Sequence, residues 1–292
     1  MKEQIDKHTK HISSLQEQRS EHTDARTSLQ NKSQEHETDI QKFRGKISAE
    51  MDAINSQIQD EHSLSLDILS VLRSMRCFLD IKHDYTSKNF DNDHGHSLLM
   101  SILSEQSRDN KIILGDKTII EIGSTRERLN SQKSTEKLAV FTALTDMNFI
   151  TVDMDPENTR HIRSILPKLN ARSKAITQKG EDFLAEYNGS LDFIYLDAYD
   201  FFHENHSDKR RESYRTILNS DINDSDCWEM HRKCAEAIIS KMPIGGIVVI
   251  DDTWLDVSNK YDGKGKFAAP LLLENGFIMI AKLKMAVALK RS

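Results

Sequence analysis

The sequence is short of the residues that break helices or cross-link chains. Its 292 residues include four prolines (Pro156, Pro167, Pro243 and Pro270), and the only glycines before Gly123 are Gly45, Gly95 and Gly115. The first ninety residues can therefore run as helix with hardly an interruption. Cysteine is equally scarce, and Cys77, Cys227 and Cys234 make no even disulfide framework. Apolar runs fall far short of the roughly 18 residues that a membrane span requires. The amino terminus, MKEQIDKHTKH, lacks a hydrophobic signal core. No Lys/Arg block of the kind that neutralises phosphates is present, KRR at 209–211 being too short, and the formal net charge is -6 with pI ≈ 6.1. These absences argue against nucleic acid as a substrate and against a membrane span, and leave a reducing, cytoplasmic location as the expectation. The length suffices for one full α/β domain plus something smaller.

What the first segment does contain is a heptad seam. Steps of seven from Ile5 give Ile12, Arg19, Arg26, Ser33, Ile40, Ile47 and Ile54, with His8, Leu15, His22, Leu29, His36, Phe43, Glu50 and Gln57 as partner positions. The stripe is apolar at its ends and polar in its middle, and SLQEQRSEH at 14–22 is echoed by SLQNKSQEH at 28–36. So narrow a stripe cannot bury itself, which predicts a coiled-coil arm over 1–62 that pairs with further copies of the chain in a homo-oligomer. A broader apolar face over 64–81 (Leu64, Ile68, Val71, Leu72, Met75, Phe78, Leu79) predicts a leading helix, and the polar run at 84–96 a loop, so that 63–96 connects the arm to a catalytic domain over 97–292.

From residue 111 the periodicity alternates between strand and helix. The predicted strands are 118–122, 149–153, 174–177, 191–197 and 246–251. Helices are predicted over 135–146, 157–166, 181–187, 209–218 with 226–241, and 266–275. GFIMIAKL and MAVALKR, separated only by Lys284, must close as an antiparallel hairpin. Three of the buried strands deliver acidic groups to one sheet edge: LDFIYLDAYD ends in Asp197, GGIVVIDDTW in Asp251 and Asp252, and both follow TIIEIGS at 118–124. The carboxyl edge is where open α/β sheets bind ligands.

Five βα units and a closing hairpin, taken with these motifs, resemble the class I S-adenosylmethionine-dependent methyltransferases over about residues 111–291, with a Rossmann-like seven-stranded sheet. TIIEIGS is similar to the family's first motif, which implies Glu121, Gly123 and Ser124 at the methionine part of the cofactor, although the usual G-x-G-x-G is reduced here to E-I-G-S-T. FITVDMDPEN resembles the second motif and places Asp153 on the ribose hydroxyls; ITQKGEDFL resembles the adenine-lining loop, with Glu181 and Asp182 as candidates. Within the family, LDFIYLDAYD and VVIDDTW look like the metal-dependent O-methyltransferases, which implies Asp197, Asp251 and Asp252 as ligands of a divalent cation such as Mg²⁺, with Asp197 also beside the cofactor. Hard oxygen ligands suit that ion.

The resemblance implies methyl transfer to a hydroxyl of a small-molecule or glycan acceptor. Catechol-type members carry a lysine base three residues after the first metal aspartate, where this chain has Asp200; Asp200, His203, His206 and His231 are the candidate bases. Loss of that lysine favours a saccharide or other polyhydroxyl over a catechol. Cys227, His231 and Cys234 lie at i, i+4 and i+7, where core packing is expected rather than zinc. Trp254 fits either an acceptor pocket or the core. A competing expectation is a scaffold protein, whose arm oligomerises while a degenerate cofactor domain binds a partner.

Overall fold

In a computed structural model, residues 34, 36–38, 41–65, 68, 94–126, 133–199 and 208–292 are described, with backbone alone at 208–210. The chain divides into two units, Met1–His62 and Ser63–Ser292. In the first, residues 41–62 are helical (α1) and exposed throughout. Phe43, Ile47, Met51, Ile54 and Ile58 form an apolar stripe open to solvent. The expected seam from Ile5 to Ser33, and most of the leading helix, lie outside the described residues.

In the second unit α2 spans Gly95–Arg108, so the loop expected over 84–96 ends earlier than the sequence indicated. Then follow β1 (Thr118–Ile122), α3 (Ser134–Leu144), β2 (Asn148–Asp153), α4 (Pro156–Leu169), β3 (Ser173–Thr177), α5 (Gly180–Glu186) and β4 (Phe193–Leu196). The chain continues through α6 (Asp208–Leu218), α7 (Asp224–Lys241), β5 (Ile247–Asp251), β6 (Thr253–Leu255), β7 (Tyr261–Gly263), α8 (Ala268–Glu274), β8 (Phe277–Lys282) and β9 (Ala286–Arg291).

Seven strands form one sheet in the order β3-β2-β1-β4-β5-β9-β8. The first five pair in parallel and β9 runs antiparallel to both β5 and β8, as the closing hairpin required. The central strands TIIEI, FIYL and IVVID are buried at every position, as strands covered on both faces must be. Alternation sorts their side chains between two layers. Ile120, Ile122, Ile194, Leu196, Val248 and Ile250 pack with Leu184, Cys234, Ile238 and Leu272 of α5, α7 and α8. Ile119, Phe193, Tyr195 and Val249 pack with Leu99, Leu103, Phe141 and Ile162 of α2, α3 and α4. Helix starts are fixed by local polar groups: Asp155 accepts the amides of Glu157 and Asn158 ahead of α4, and Asn223 and Asp226 form a reciprocal capping box on α7. Two elements had no counterpart in the periodicity, α2 and the small β6–β7 hairpin, and both bear on the site.

Candidate active site

In-register parallel pairing brings the strand ends to one edge. Ile122 of β1 stands opposite Val152 of β2 and Leu196 of β4, and Leu196 opposite Ile250 of β5, so Gly123, Asp153, Asp197 and Asp251 each follow at the same level. The turn after β1 is stitched to its neighbours by Gly123 N donating to Val152 O (2.8 Å) and Asp197 N to Ile122 O (2.8 Å). Gly123 has φ +97, and a Cβ there would lie 2.5 Å from Asp197 O and 2.7 Å from Ala198 N. Only glycine satisfies both the left-handed backbone and that approach.

On the β1–β2 side the acids are held chiefly by uncharged donors. Glu121 is fully buried and accepts hydroxyls from Ser134 (2.6 Å), Thr135 (2.7 Å) and Thr151 (2.6 Å). Burial outweighs these three donors and pushes its carboxyl up to about 8. Asp153 accepts Asp155 N on Oδ1 (2.8 Å), and Ser124 N (3.2 Å) and Asn158 Nδ2 (2.9 Å) on Oδ2, with Arg126 Nε 3.8 Å away. Ser124 also shares its hydroxyl with Thr151 (2.7 Å). Gln178 N donates to Asp153 O (3.1 Å), so the turn leading into α5 starts beside Asp153. In the first turn of α5, Glu181 has a buried carboxylate oxygen, Oε2, with no hydrogen-bond partner, and burial raises its acid; Asp182 beside it is exposed.

On the β4–β5 side the acids meet a cation. Lys264, at the end of the β6–β7 hairpin, has a side chain only 5% exposed, and its Nζ lies 2.5 Å from Asp197 Oδ1 and 3.0 Å from Asp252 Oδ2. Burial disfavours the charge on Lys264, but the carboxylates of Asp197 and Asp252 outweigh it and hold the ammonium well above the ordinary lysine value. Asp251 is engaged elsewhere: Oδ1 accepts Gly95 N at the start of α2 (3.0 Å) and Oδ2 accepts the Tyr195 hydroxyl (2.5 Å). That hydroxyl also lies 3.1 Å from Asp197 Oδ2. Burial, reinforced by the charges of Asp197 and Asp252, pushes Asp251 up to about 7.

Asp197, Asp251 and Asp252 thus gather as the motifs implied, but around protein donors. Among the described residues no group of three or more His, Cys, Asp or Glu has the arrangement of a metal centre. The place expected for a divalent ion, between Asp197 and Asp252, is spanned by the Lys264 ammonium, and both oxygens of Asp251 accept protein hydrogen bonds. This donor set does not fit Mg²⁺, and the metal expectation is corrected accordingly. Sequence reasoning missed Lys264; its only trace was a lysine between two glycines in DGKGK.

Of the candidate bases, Asp200, His203 and His206 lie outside the described residues. His231 is fully buried on α7. Its Nδ1 bonds Cys227 O (2.8 Å), Nε2 is buried without a partner, and burial lowers the ring to about 3, so it is neutral. Cys227 and Cys234 are buried with it as thiols. Trp254 is half-buried on β6.

No protein-family profile matches the chain, and no curated protein does so by sequence. Solved methyltransferase structures resemble it in fold. The N-methyltransferase NodS from Bradyrhizobium japonicum, in complex with S-adenosyl-L-homocysteine, is 12% identical, with 77% of this chain and 98% of that one covered at a TM-score of 0.42. The methyltransferase PaMTH1 from Podospora anserina, also bound to that product, is 14% identical with 76% and 88% covered at 0.39. A methyltransferase from Pyrococcus furiosus is 12% identical with 66% and 83% covered at 0.37. These are likenesses of fold alone, and the strand order and edge residues stand independently of them.

Proposed function

We propose that this chain is an S-adenosylmethionine-dependent methyltransferase that transfers the methyl group to a hydroxyl of a saccharide or other polyhydroxyl acceptor. The observation that carries the reading is the carboxyl edge of the β1–β3 half. A glycine turn that tolerates no Cβ follows β1, a buried aspartate ends β2, and the first turn of α5, which follows β3, carries an unpartnered carboxylate oxygen on Glu181. An orphaned buried acceptor calls for a donor that the protein does not supply. The exocyclic amine of an adenine is such a donor, and a buried carboxylate at the end of the strand beside a glycine turn suits a vicinal diol.

The bound cofactor would supply an electrophilic sulfonium methyl. The chain's own residues do the rest: Asp153 takes the ribose hydroxyls, Glu181 the adenine amine, and the Gly123–Ser124 turn leaves backbone space for the methionine part. Asp197, at the end of β4, stands between the cofactor side and the acceptor side with its orientation fixed by Lys264 and Tyr195. Direct displacement at the methyl group needs alignment above all, and locked carboxylates provide it. For the proton on the acceptor, Asp200, His203 and His206 are the candidates that the sequence offers. His231 Nε2 is an available lone pair sealed at 0% exposure.

Isothermal titration with S-adenosylmethionine tests the reading. One site per chain is expected, with affinity in the micromolar range usual for enzyme ligands, weakened at least about tenfold by Asp153→Ala. A folded chain that gives no heat would remove the proposal. The exposed stripe Phe43, Ile47, Met51, Ile54 and Ile58 supports self-association through the arm. Sedimentation of the full chain against one starting at residue 63 checks that part, and two monomers would refute it.

A further inference from the structure

We propose that Lys264 is the permanent cation of this site, standing between Asp197 and Asp252 where the motifs call for a divalent metal, so that the chain has no metal requirement. The inference deepens the methyltransferase reading and rests on it only for the kind of reaction served.

Three observations carry it. The ammonium reaches both carboxylates, 2.5 Å from Asp197 and 3.0 Å from Asp252, on a side chain that is 5% exposed. A lysine so enclosed is not a surface side chain that an incoming ion brushes aside.

The second observation is how it is delivered. Lys264 N donates to Asp252 O (2.9 Å), so its backbone is tied to the residue whose carboxylate its ammonium holds. Gly265 N donates to Thr253 Oγ1 (2.9 Å), which in turn donates to Asp251 O (2.9 Å). Gly263, at φ +74, makes the bend, and a Cβ there would collide with Asp252 O. Asp252 itself sits at φ 43, a conformation aspartate tolerates. The β6–β7 hairpin is thus a strap that folds a lysine back over the acidic pair ending β5.

Third, both oxygens of Asp251 are already oriented by protein donors. Gly95 N holds one and the Tyr195 hydroxyl the other. Mg²⁺ demands near-octahedral oxygen ligands at about 2.0–2.1 Å. It would have to expel the ammonium, or sit within a few ångströms of it. Ion and ammonium therefore exclude one another. With no chelated ion, the acceptor need not present two adjacent oxygens, and single hydroxyls become eligible.

Mn²⁺ titration of the full chain, followed by the electron paramagnetic resonance of the free ion, tests this, with S-adenosylmethionine binding measured separately. The wild-type chain should leave stoichiometric Mn²⁺ free. Lys264→Met should bind Mn²⁺ at least about tenfold more tightly than wild type, Lys264→Met/Asp197→Asn should lose that gain, and Lys264→Arg should not acquire it. One Mn²⁺ held by the wild-type chain and lost in Asp252→Asn would overturn the proposal. So would a folded Lys264→Met with no gain.

Should Lys264→Met not fold, thermal melts of the wild type in EDTA and in Mg²⁺ decide. Coincident midpoints support the proposal, and a midpoint raised by Mg²⁺ and lowered by EDTA sinks it. If Mn²⁺ behaves as expected while S-adenosylmethionine gives no heat, the methyltransferase reading fails and the assignment of Lys264 stands.

Discussion

The two halves of the carboxyl edge solve the same electrostatic problem differently. On the β1–β2 side, Glu121 and Asp153 are buried carboxyls held chiefly by hydroxyl, amide and side-chain amide donors. On the β4–β5 side, Asp197 and Asp252 share one ammonium, and Asp197 also meets the Tyr195 hydroxyl. The hydroxyl donors leave the Glu121 carboxyl free to change protonation, because hydroxyls rotate to suit either form. An ammonium favours the charged form of its partners. Several weak holds therefore make one half tolerant, while a single strong hold makes the other brittle.

The largest expected effect breaks the brittle half. Lys264→Met leaves the carboxylates of Asp197 and Asp252, 27% and 43% exposed, facing one another; deleting one partner of a fully buried ion pair costs roughly 3–5 kcal/mol, and solvent on these acids puts the expected loss at the lower end, about 3 kcal/mol. Urea unfolding of the full chain measures it. A loss no greater than that of an exposed lysine would mean that solvent already screens the pair. Next in size is Gly123→Ala, which joins the two halves because the glycine packs on Asp197 O and Ala198 N. Backbone strain alone costs about 1–3 kcal/mol, and displacement of β4's end should also weaken S-adenosylmethionine binding. An unaltered titration heat would show that the turn does not shape the cofactor cleft.

How legible these halves were in the sequence follows from the range of the contacts that build them. The five parallel strands and the closing hairpin announce themselves because each is a continuous apolar run, as in TIIEI and IVVID, and burial on both faces writes itself locally. The edge aspartates were visible for the same reason, as the first polar residues after each run. Helix α2 was not, because its start carries no capping side chain of its own; His94 makes no cap bond, and the acceptor for Gly95 N is Asp251, 156 residues further on. Lys264 was hidden likewise. Nothing in DGKGK marks a lysine as internal until the hairpin folds it over Asp252, and the motif suggested a metal because carboxylates alone do not reveal their counter-ion.

The tolerant half has its own signature in pH. Glu121 is raised from the ordinary 4.5 to about 8, so between those values the folded chain keeps a proton that the unfolded chain releases. Its contribution to stability is present below the lower value and lost as pH rises through the upper one, with a slope of roughly 1 kcal/mol per pH unit. Glu121→Gln cannot titrate. Wild type minus variant stability should accordingly fall from pH 5 towards pH 8, and a flat difference would mean that Glu121 is ionised in the fold. Asp251, pushed up to about 7, acts in the same direction in both proteins and cancels.

The smallest effect is the most direct measure of the contrast. Asn158→Ala removes one neutral donor from Asp153 Oδ2 and leaves Ser124 N on that oxygen and Asp155 N on the other. A single hydrogen bond contributes about 0.5–1.5 kcal/mol, and the surviving donors keep the carboxylate oriented. Unfolding free energy should therefore drop by about that much, while S-adenosylmethionine binding weakens only severalfold, since the ribose ligand itself stays in place. A loss as large as that of Lys264→Met would mean that Asp153 depends on one dominant partner, as Asp197 does, and that the two halves are built alike.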